Sequence, residues 1–212
     1  MADVSVVDYG SGNLFSVVRA FEHCGGIARL ASTARQISEA PRLVLPGVGA
    51  FADGMLGLRE RGLEDVIRQY AASGRPLLGI CLGMQMLASE SEEFGLHRGL
   101  QLIPGRVTRL PSADTNGAAL KVPSIGWFQL KEPFVRRWDE TLLQGTPVGT
   151  SVYVVHSFQF APADRADELA SYDYGGHQIT AAVQRANVIG CQFHPEKSGP
   201  AGLKLLRSFL RL

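Results

Sequence analysis

The first half of the chain alternates short β-branched runs with amphipathic segments, and this alternation limits the fold more than any other feature of the sequence. Val4 to Tyr9 reads as a buried strand. Asn13 is placed to cap a following helix that carries Leu14, Val17, Val18 and Phe21 at helical spacing, with Gly25-Gly26 closing it. Ile27 to Leu30 and Arg42 to Leu45 read as two further strands, Leu63 to Ser73 as a helix ended by Gly74, Pro76 to Ile80 as a strand and Leu82 to Ser89 as a helix. Strands separated by helices must run parallel, and a parallel sheet must be covered on both faces. The expected class is therefore α/β.

From about Arg106 the pattern changes to closely spaced strands: Arg106 to Leu110, Ser151 to Val155, Glu168 to Asp173, Ile179 to Val183 and Val188 to Gln192. Pro111 to Gly117 reads as an exposed loop, Gly175-Gly176-His177-Gln178 as a hairpin connection, and Gly202 to Leu210 as a closing helix. No repeat, low-complexity tract or linker interrupts the 212 residues, so one mixed-sheet domain over residues 1–212 is expected.

Composition excludes several classes of function. With 21 basic and 20 acidic residues the net charge is +1, which supplies no basic face for nucleic acid and suits a small neutral or zwitterionic substrate. No apolar run approaches the roughly 20 residues needed to span a bilayer, and Met1 to Ser5 lacks the features of a secretory signal. Cys24, Cys81 and Cys191 are odd in number and widely spaced, which argues for a reducing, cytoplasmic setting rather than a disulfide framework.

The most informative segment is Gly79-Ile80-Cys81-Leu82-Gly83-Met84-Gln85, a Gly-x-nucleophile-x-Gly pattern between a strand and a helix. That is the layout of a nucleophile elbow with Cys in the place where hydrolases often carry Ser. The two glycines let strand and helix approach closely, and the thiol sits at a helix N-terminus with the Leu82 N–H directed at a developing oxyanion. A free thiol ionises near pH 8.5, and a neighbouring histidine lowers that value. Taken alone, the pattern is equally compatible with a small buried thiol.

A second segment, Gln192-Phe193-His194-Pro195-Glu196-Lys197-Ser198, follows an apolar strand. His194 can act as base to Cys81 and Glu196 can orient the imidazole, with Pro195 fixing the relation between them. Cys191 and His194 also form a Cys-x-x-His pair, but no second pair at ligand spacing completes a zinc site, so neither metal nor cofactor is expected. A third segment, Leu45-Pro46-Gly47-Val48-Gly49-Ala50-Phe51, permits backbone N–H groups to turn into a cavity as oxyanion donors. It lacks the Gly-x-x-x-x-Gly-Lys-Ser/Thr pattern of a phosphate loop.

With these three segments in order, the chain resembles the class I glutamine amidotransferases nearly end to end. Within them it is similar to the group of glutaminase subunits of imidazole glycerol phosphate synthases, on Asp8-Tyr9-Gly10-Ser11-Gly12-Asn13-Leu14, Pro46 to Phe51, Gly79 to Gln85 and Gln192 to Ser198. The resemblance implies a flavodoxin-like fold with a central, mostly parallel sheet. It implies Cys81 as nucleophile, His194 as base and Glu196 as orienter. Substrate binding is implied at Gly47, Gly49, Leu82 and Gln85 and along His156, Ser157 and Phe158. Trp127 and Lys197 are implied to face a partner, a (β/α)₈ barrel synthase that receives ammonia in a heterodimer and closes an imidazole ring in histidine biosynthesis. That group usually reads Lys-Val-Pro-His-x-Gly-Trp-Asn where this chain has Lys121-Val122-Pro123-Ser124-Ile125-Gly126-Trp127-Phe128. Ser124 and Phe128 are therefore expected to alter the partner face, which leaves open a related glutaminase that amidates sugars. Another cysteine hydrolase of similar fold and a non-catalytic subunit are the remaining alternatives.

Overall fold

The computed structural model describes residues 3–10, 13–133 and 137–212. Of the segment Asp8 to Leu14, Ser11 and Gly12 lie outside the described residues. The first half runs β1 (Asp3–Val7), α1 (Leu14–His23), β2 (Ile27–Ala31), α2 (Ala34–Ser38), β3 (Leu43–Gly47), α3 (Phe51–Glu60), α4 (Glu64–Ala72), β4 (Leu77–Cys81) and α5 (Leu82–Met86). The second half carries β5 (Glu90–Ser91), β6 (His97–Arg98), β7 (Gly105–Arg109), β8 (Ser124–Gln129), β9 (Ser151–His156), β10 (Phe158–Pro162), β11 (Glu168–Tyr174), β12 (His177–Arg185), β13 (Val188–Cys191) and α6 (Gly199–Phe209).

Seven strands form the central sheet in the order β11-β12-β13-β4-β3-β1-β2. The pairs from β13 through β4, β3 and β1 to β2 are parallel, and β11-β12 and β12-β13 are antiparallel. The sheet is mixed and mostly parallel, as expected. Its period-two alternation divides the core into two layers. Val4, Val6, Val44, Leu78 and Ile80 pack with Val17 and Phe21 of α1 and Leu205, Leu206 and Phe209 of α6. Val7, Leu43, Leu45 and Leu77 pack with Ile37, Met55, Leu58, Ile67 and Tyr70 of α2, α3 and α4 on the opposite face. A four-stranded sheet, β10-β7-β5-β6, and the ladder β8-β9 form the remainder. Among the described residues, no helix is long and apolar enough to cross a membrane.

Several expectations are adjusted. β3 extends past Leu45 to Gly47, because Pro46, which has no N–H to give, pairs only with β4 while the ladder to β1 stops at Val44. The helix expected to reach Ser89 ends at Met86, where Leu87 and Ala88 tighten onto Met84 and Gln85 and the chain turns into β5. α3 was not expected, since Gly54 and Gly57 lower its helix propensity. The hairpin is as read: Gly175 and Gly176 take φ of 63° and 84°, the positive pair a two-residue connection requires.

The elbow depends on close approach. A Cβ built on Gly83 would lie 1.7 Å from the Leu45 carbonyl oxygen, and one on Gly79 would lie 2.7 Å from the Gly83 carbonyl oxygen. Gly83→Ala is therefore expected to lower the unfolding free energy by about 3 kcal/mol through forced separation of β3 from α5. Urea denaturation followed by circular dichroism measures this, and a midpoint equal to wild type would contradict the packing argument.

Candidate active site

Cys81 ends β4 and stands immediately before α5 with φ 55° and ψ −112°, outside the regions that non-glycine residues favour. The strained turn lifts its sulfur out of the sheet at the strand's carboxyl end, and the residue is 7% exposed. α5 is only five residues long, so its dipole is a minor influence on the thiol.

His194 follows β13, the parallel neighbour of β4, so the two side chains leave adjacent strand ends. Its Nδ1 lies 2.8 Å from Glu196 Oε1. Nε2 is buried and has no hydrogen-bond partner of good geometry, while the Cys81 sulfur lies close enough to act on it electrostatically. Burial of His194 opposes its charged form. Interaction with the Cys81 sulfur and with the Glu196 carboxylate outweighs that, and the imidazole pKa is raised to about 9. His194 is thus an imidazolium at neutral pH. Its contribution to stability is complete below the ordinary histidine value and is lost as pH rises through about 9.

Three further residues, Asn13, Ser198 and Tyr153, hold this pair in place. Asn13 was read as a helix cap, yet its side chain makes no cap bond and instead donates from Nδ2 to Glu196 Oε1 at 3.0 Å. Ser198 donates from Oγ to the His194 carbonyl at 2.7 Å and accepts from the Tyr153 N–H at 3.0 Å. The His194 N–H completes the tie by donating to the Tyr153 carbonyl at 2.9 Å. The turn bearing His194 and Glu196 is thereby sewn to β9.

A cavity of about 320 Å³ opens beside Cys81 and His194, bounded by Val48, Gly49, Leu82, Gln85, Glu93 and the β9–β10 corner from Val155 to Phe158. The volume lies at the small end of ligand pockets, which suits a ligand of amino-acid size. Gly49 takes φ of 97°, open to glycine, and Gly47 is buried where a Cβ would lie 2.5 Å from the Tyr9 hydroxyl. Gln85 uses both amide hydrogens internally, to the Phe158 carbonyl at 2.8 Å and Gln192 Oε1 at 3.0 Å, which leaves its carbonyl oxygen for a ligand. Glu93 was missed from sequence because a carboxylate in a run of acidic residues reads as solvated. It is buried at the cavity wall and accepts from the Phe51 N–H at 2.7 Å.

The His156 side chain bridges the Phe158 carbonyl and the Tyr172 hydroxyl, at 2.8 and 2.7 Å. Burial lowers its pKa to about 4, so it is neutral and braces the β9–β10 corner. Among the described residues, no group of three or more His, Cys, Asp or Glu is placed to hold a metal ion.

The sequence model for glutamine amidotransferase class-I matches residues 5–212. The chain belongs to this family. Imidazole glycerol phosphate synthase subunit HisH 1 of Legionella pneumophila (strain Paris) is 49% identical over 213 residues, covering 100% of each chain. The subunit HisH of Syntrophotalea carbinolica is 47% identical over 207 residues, covering 97% of this chain and 98% of its own. Among solved structures, PurLQS from Thermotoga maritima shares the fold with a TM-score of 0.76 at 20% identity, covering 100% of this chain and 99% of that one.

One expectation drawn from the resemblance is corrected. Ser124 and Phe128 do not alter an outward face. β8 alternates, and Ile125, Trp127 and Gln129 point outward while Ser124 and Phe128 point in. Ser124 is 1% exposed, and Phe128 packs on Tyr172 with ring centroids 4.7 Å apart. Trp127, by contrast, is 57% exposed, and Lys197 is exposed with no ion pair among the described residues.

Because the Cys81 sulfur helps to hold His194 protonated, removing the sulfur should release the proton at lower pH. In Cys81→Ser the imidazole is expected to titrate below its wild-type value, by roughly a unit or more. Histidine NMR titration reads this directly, and identical values in the two proteins would show that the two groups do not interact.

Proposed function

We propose that this chain is the glutaminase subunit of an imidazole glycerol phosphate synthase, with residues 1–212 forming one glutamine amidotransferase domain. The observation that carries the reading is the meeting of a strained Cys81 with a charged His194–Glu196 pair at the wall of an amino-acid-sized cavity. Relatives covering the whole chain carry that subunit's name.

The chemistry follows from the charges. The Cys81 thiolate attacks the side-chain amide carbon of glutamine, and the oxygen takes up negative charge facing the Leu82 N–H and the turn at Gly47 to Gly49. His194, an imidazolium, gives its proton to the amide nitrogen, the C–N bond breaks and ammonia leaves. The sulfur is now acylated and uncharged, so a principal cause of the raised His194 pKa is removed. The neutral imidazole then takes a proton from water, the hydroxide attacks the thioester, the C–S bond breaks, and glutamate and thiolate are released. One histidine thus serves as acid and then base because its partner's charge is switched off between the two steps. Gln85 Oε1 and the Glu93 carboxylate suit the substrate's α-ammonium group.

Ammonia released into water would be protonated and diluted, which favours delivery to a bound synthase, a (β/α)₈ barrel in a cytoplasmic heterodimer. Trp127 and Ile125, both more than half exposed, and Lys197 offer it an aromatic and a cationic contact beside the site.

Cys81→Ala is expected to lower glutamine hydrolysis at least about 10³-fold, and His194→Ala to be more damaging than Glu196→Ala. A glutamine-like electrophile should label Cys81 and spare Cys24 and Cys191, whose thiols burial holds neutral. An adduct on either of those two would overturn the nucleophile. The isolated chain should hydrolyse glutamine poorly, because a missing oxyanion donor at Gly49 costs about 3–4 kcal/mol. Adding the barrel and its phosphoribosyl acceptor should restore turnover. Stimulation by a sugar acceptor alone would reassign the pathway, and full activity in the lone chain would remove the gating.

A further inference from the structure

A series of hydrogen bonds of fixed polarity runs from the Phe158 carbonyl to the nucleophilic sulfur. The carbonyl can only accept, so the Gln85 atom 2.8 Å from it is the amide nitrogen. That same nitrogen lies 3.0 Å from the Gln192 side chain, and the atom it meets there must be the carbonyl oxygen. The amino end of Gln192 then faces Cys81 Sγ at 3.8 Å. Turning Gln192 over would set two amino groups against each other, and turning Gln85 over would set two oxygens together. Gln192 is 0% exposed, and its backbone N–H is fixed to the Ala181 carbonyl at 2.8 Å.

We propose that Gln192 is a positioning residue that aims an N–H at the Cys81 sulfur, with the direction of that bond imposed by the Phe158 carbonyl through Gln85. The inference rests on the glutaminase reading of Cys81. The donor is buried, and a charged sulfur accepts from it more strongly than a neutral one does. The same N–H receives the sulfur again when the thioester breaks, and so favours its departure in the second half-reaction.

A residue that merely fills the space behind the elbow would affect folding stability and leave the ionisation of Cys81 unchanged. The test is the pH dependence of Cys81 alkylation by iodoacetamide in the full chain, with the adduct located by mass mapping. Gln192→Met keeps the length and removes the donor. It should move the midpoint upward by about one unit, so that alkylation below the midpoint is about tenfold slower. Gln192→Glu sets a carboxylate against the sulfur and should move it at least as far. Gln85→Met touches no reacting atom but frees Gln192 to turn over, and should give a smaller shift in the same direction. If Gln192→Met does not fold, the other two variants decide. Folded variants whose midpoints match wild type would overturn the proposal even if their melting temperatures fall. Failure of the underlying reading would look different: wild-type Cys81 would resist a glutamine-like electrophile.

Discussion

Cys81 is held at φ 55°, ψ −112°, a conformation that costs a residue with a side chain about 1–3 kcal/mol. The surrounding packing leaves it no other. Gly79 and Gly83 touch across the turn, and Gly83 also lies against the Leu45 carbonyl, so β3, β4 and α5 are locked at one point. The register follows from that lock, since Gly47 stands opposite Cys81 and the Tyr9 hydroxyl fixes the Pro46 carbonyl at 2.9 Å. The turn at Gly47 to Gly49 therefore starts level with Cys81. A slip of one residue in β3 would exchange the faces of Leu43 and Leu45 with that of Val44 and empty both core layers of their partners. The hydrophobic core thus secures the strain at Cys81.

The second half of the site comes from the far end of the chain and depends on charge as much as on packing. Glu196 Oε1 accepts from both His194 and Asn13, groups that approach it from β13's end and from the start of α1. Its side chain and that of His194 are almost wholly buried, at 1% and 3% exposure, so water does not screen the pair. A buried carboxylate with a single partner would be costly, and the second donor from Asn13 answers part of its remaining demand. Cys81 on one side of His194 and Glu196 on the other both favour the charged imidazole.

Much of this was legible in the sequence, for reasons that can be named. The strands of the central sheet showed themselves as short apolar runs, and the elbow and the His194 segment showed themselves as fixed spacings. What escaped were places where tertiary contact overrides local preference. α3 contains Gly54 and Gly57, which weaken a helix by propensity. The structure needs them because a Cβ there would strike Met86 Sδ at 2.8 Å and the Tyr9 carbonyl oxygen at 2.8 Å. Asn13 has the chemistry of a cap and spends it on a residue 183 positions away, a choice no local window reveals. Gln192 was quoted within a motif, but the polarity of its amide depends on Gln85 and Phe158, which only the fold brings together. The inward turn of Ser124 and Phe128 follows from a period of two that a short motif comparison does not weigh.

The outward face of β8 is connected to the chemistry through a short physical route. Trp127 pairs with Tyr153 across the β8–β9 ladder, and their rings meet edge to face with centroids 5.9 Å apart. Both backbone polar groups of Tyr153 are then committed to the turn behind them, the carbonyl to the His194 N–H and the N–H to Ser198 Oγ. β9 is thus bound on one side by the exposed strand β8 and on the other by the turn that carries His194 and Glu196. α6 presses on the same turn, where a Cβ on Gly202 would lie 1.9 Å from the Pro195 carbonyl oxygen, so the turn cannot move independently of its neighbours. A partner seated on Trp127 and Lys197 can change the activity of the site only if it binds one arrangement of this linked unit more tightly than another. A tenfold change in the population of the active arrangement requires about 1.4 kcal/mol of such preference, the scale of a single well-packed aromatic contact. Trp127 is placed to supply a contact of that size one ladder step from the backbone that holds His194.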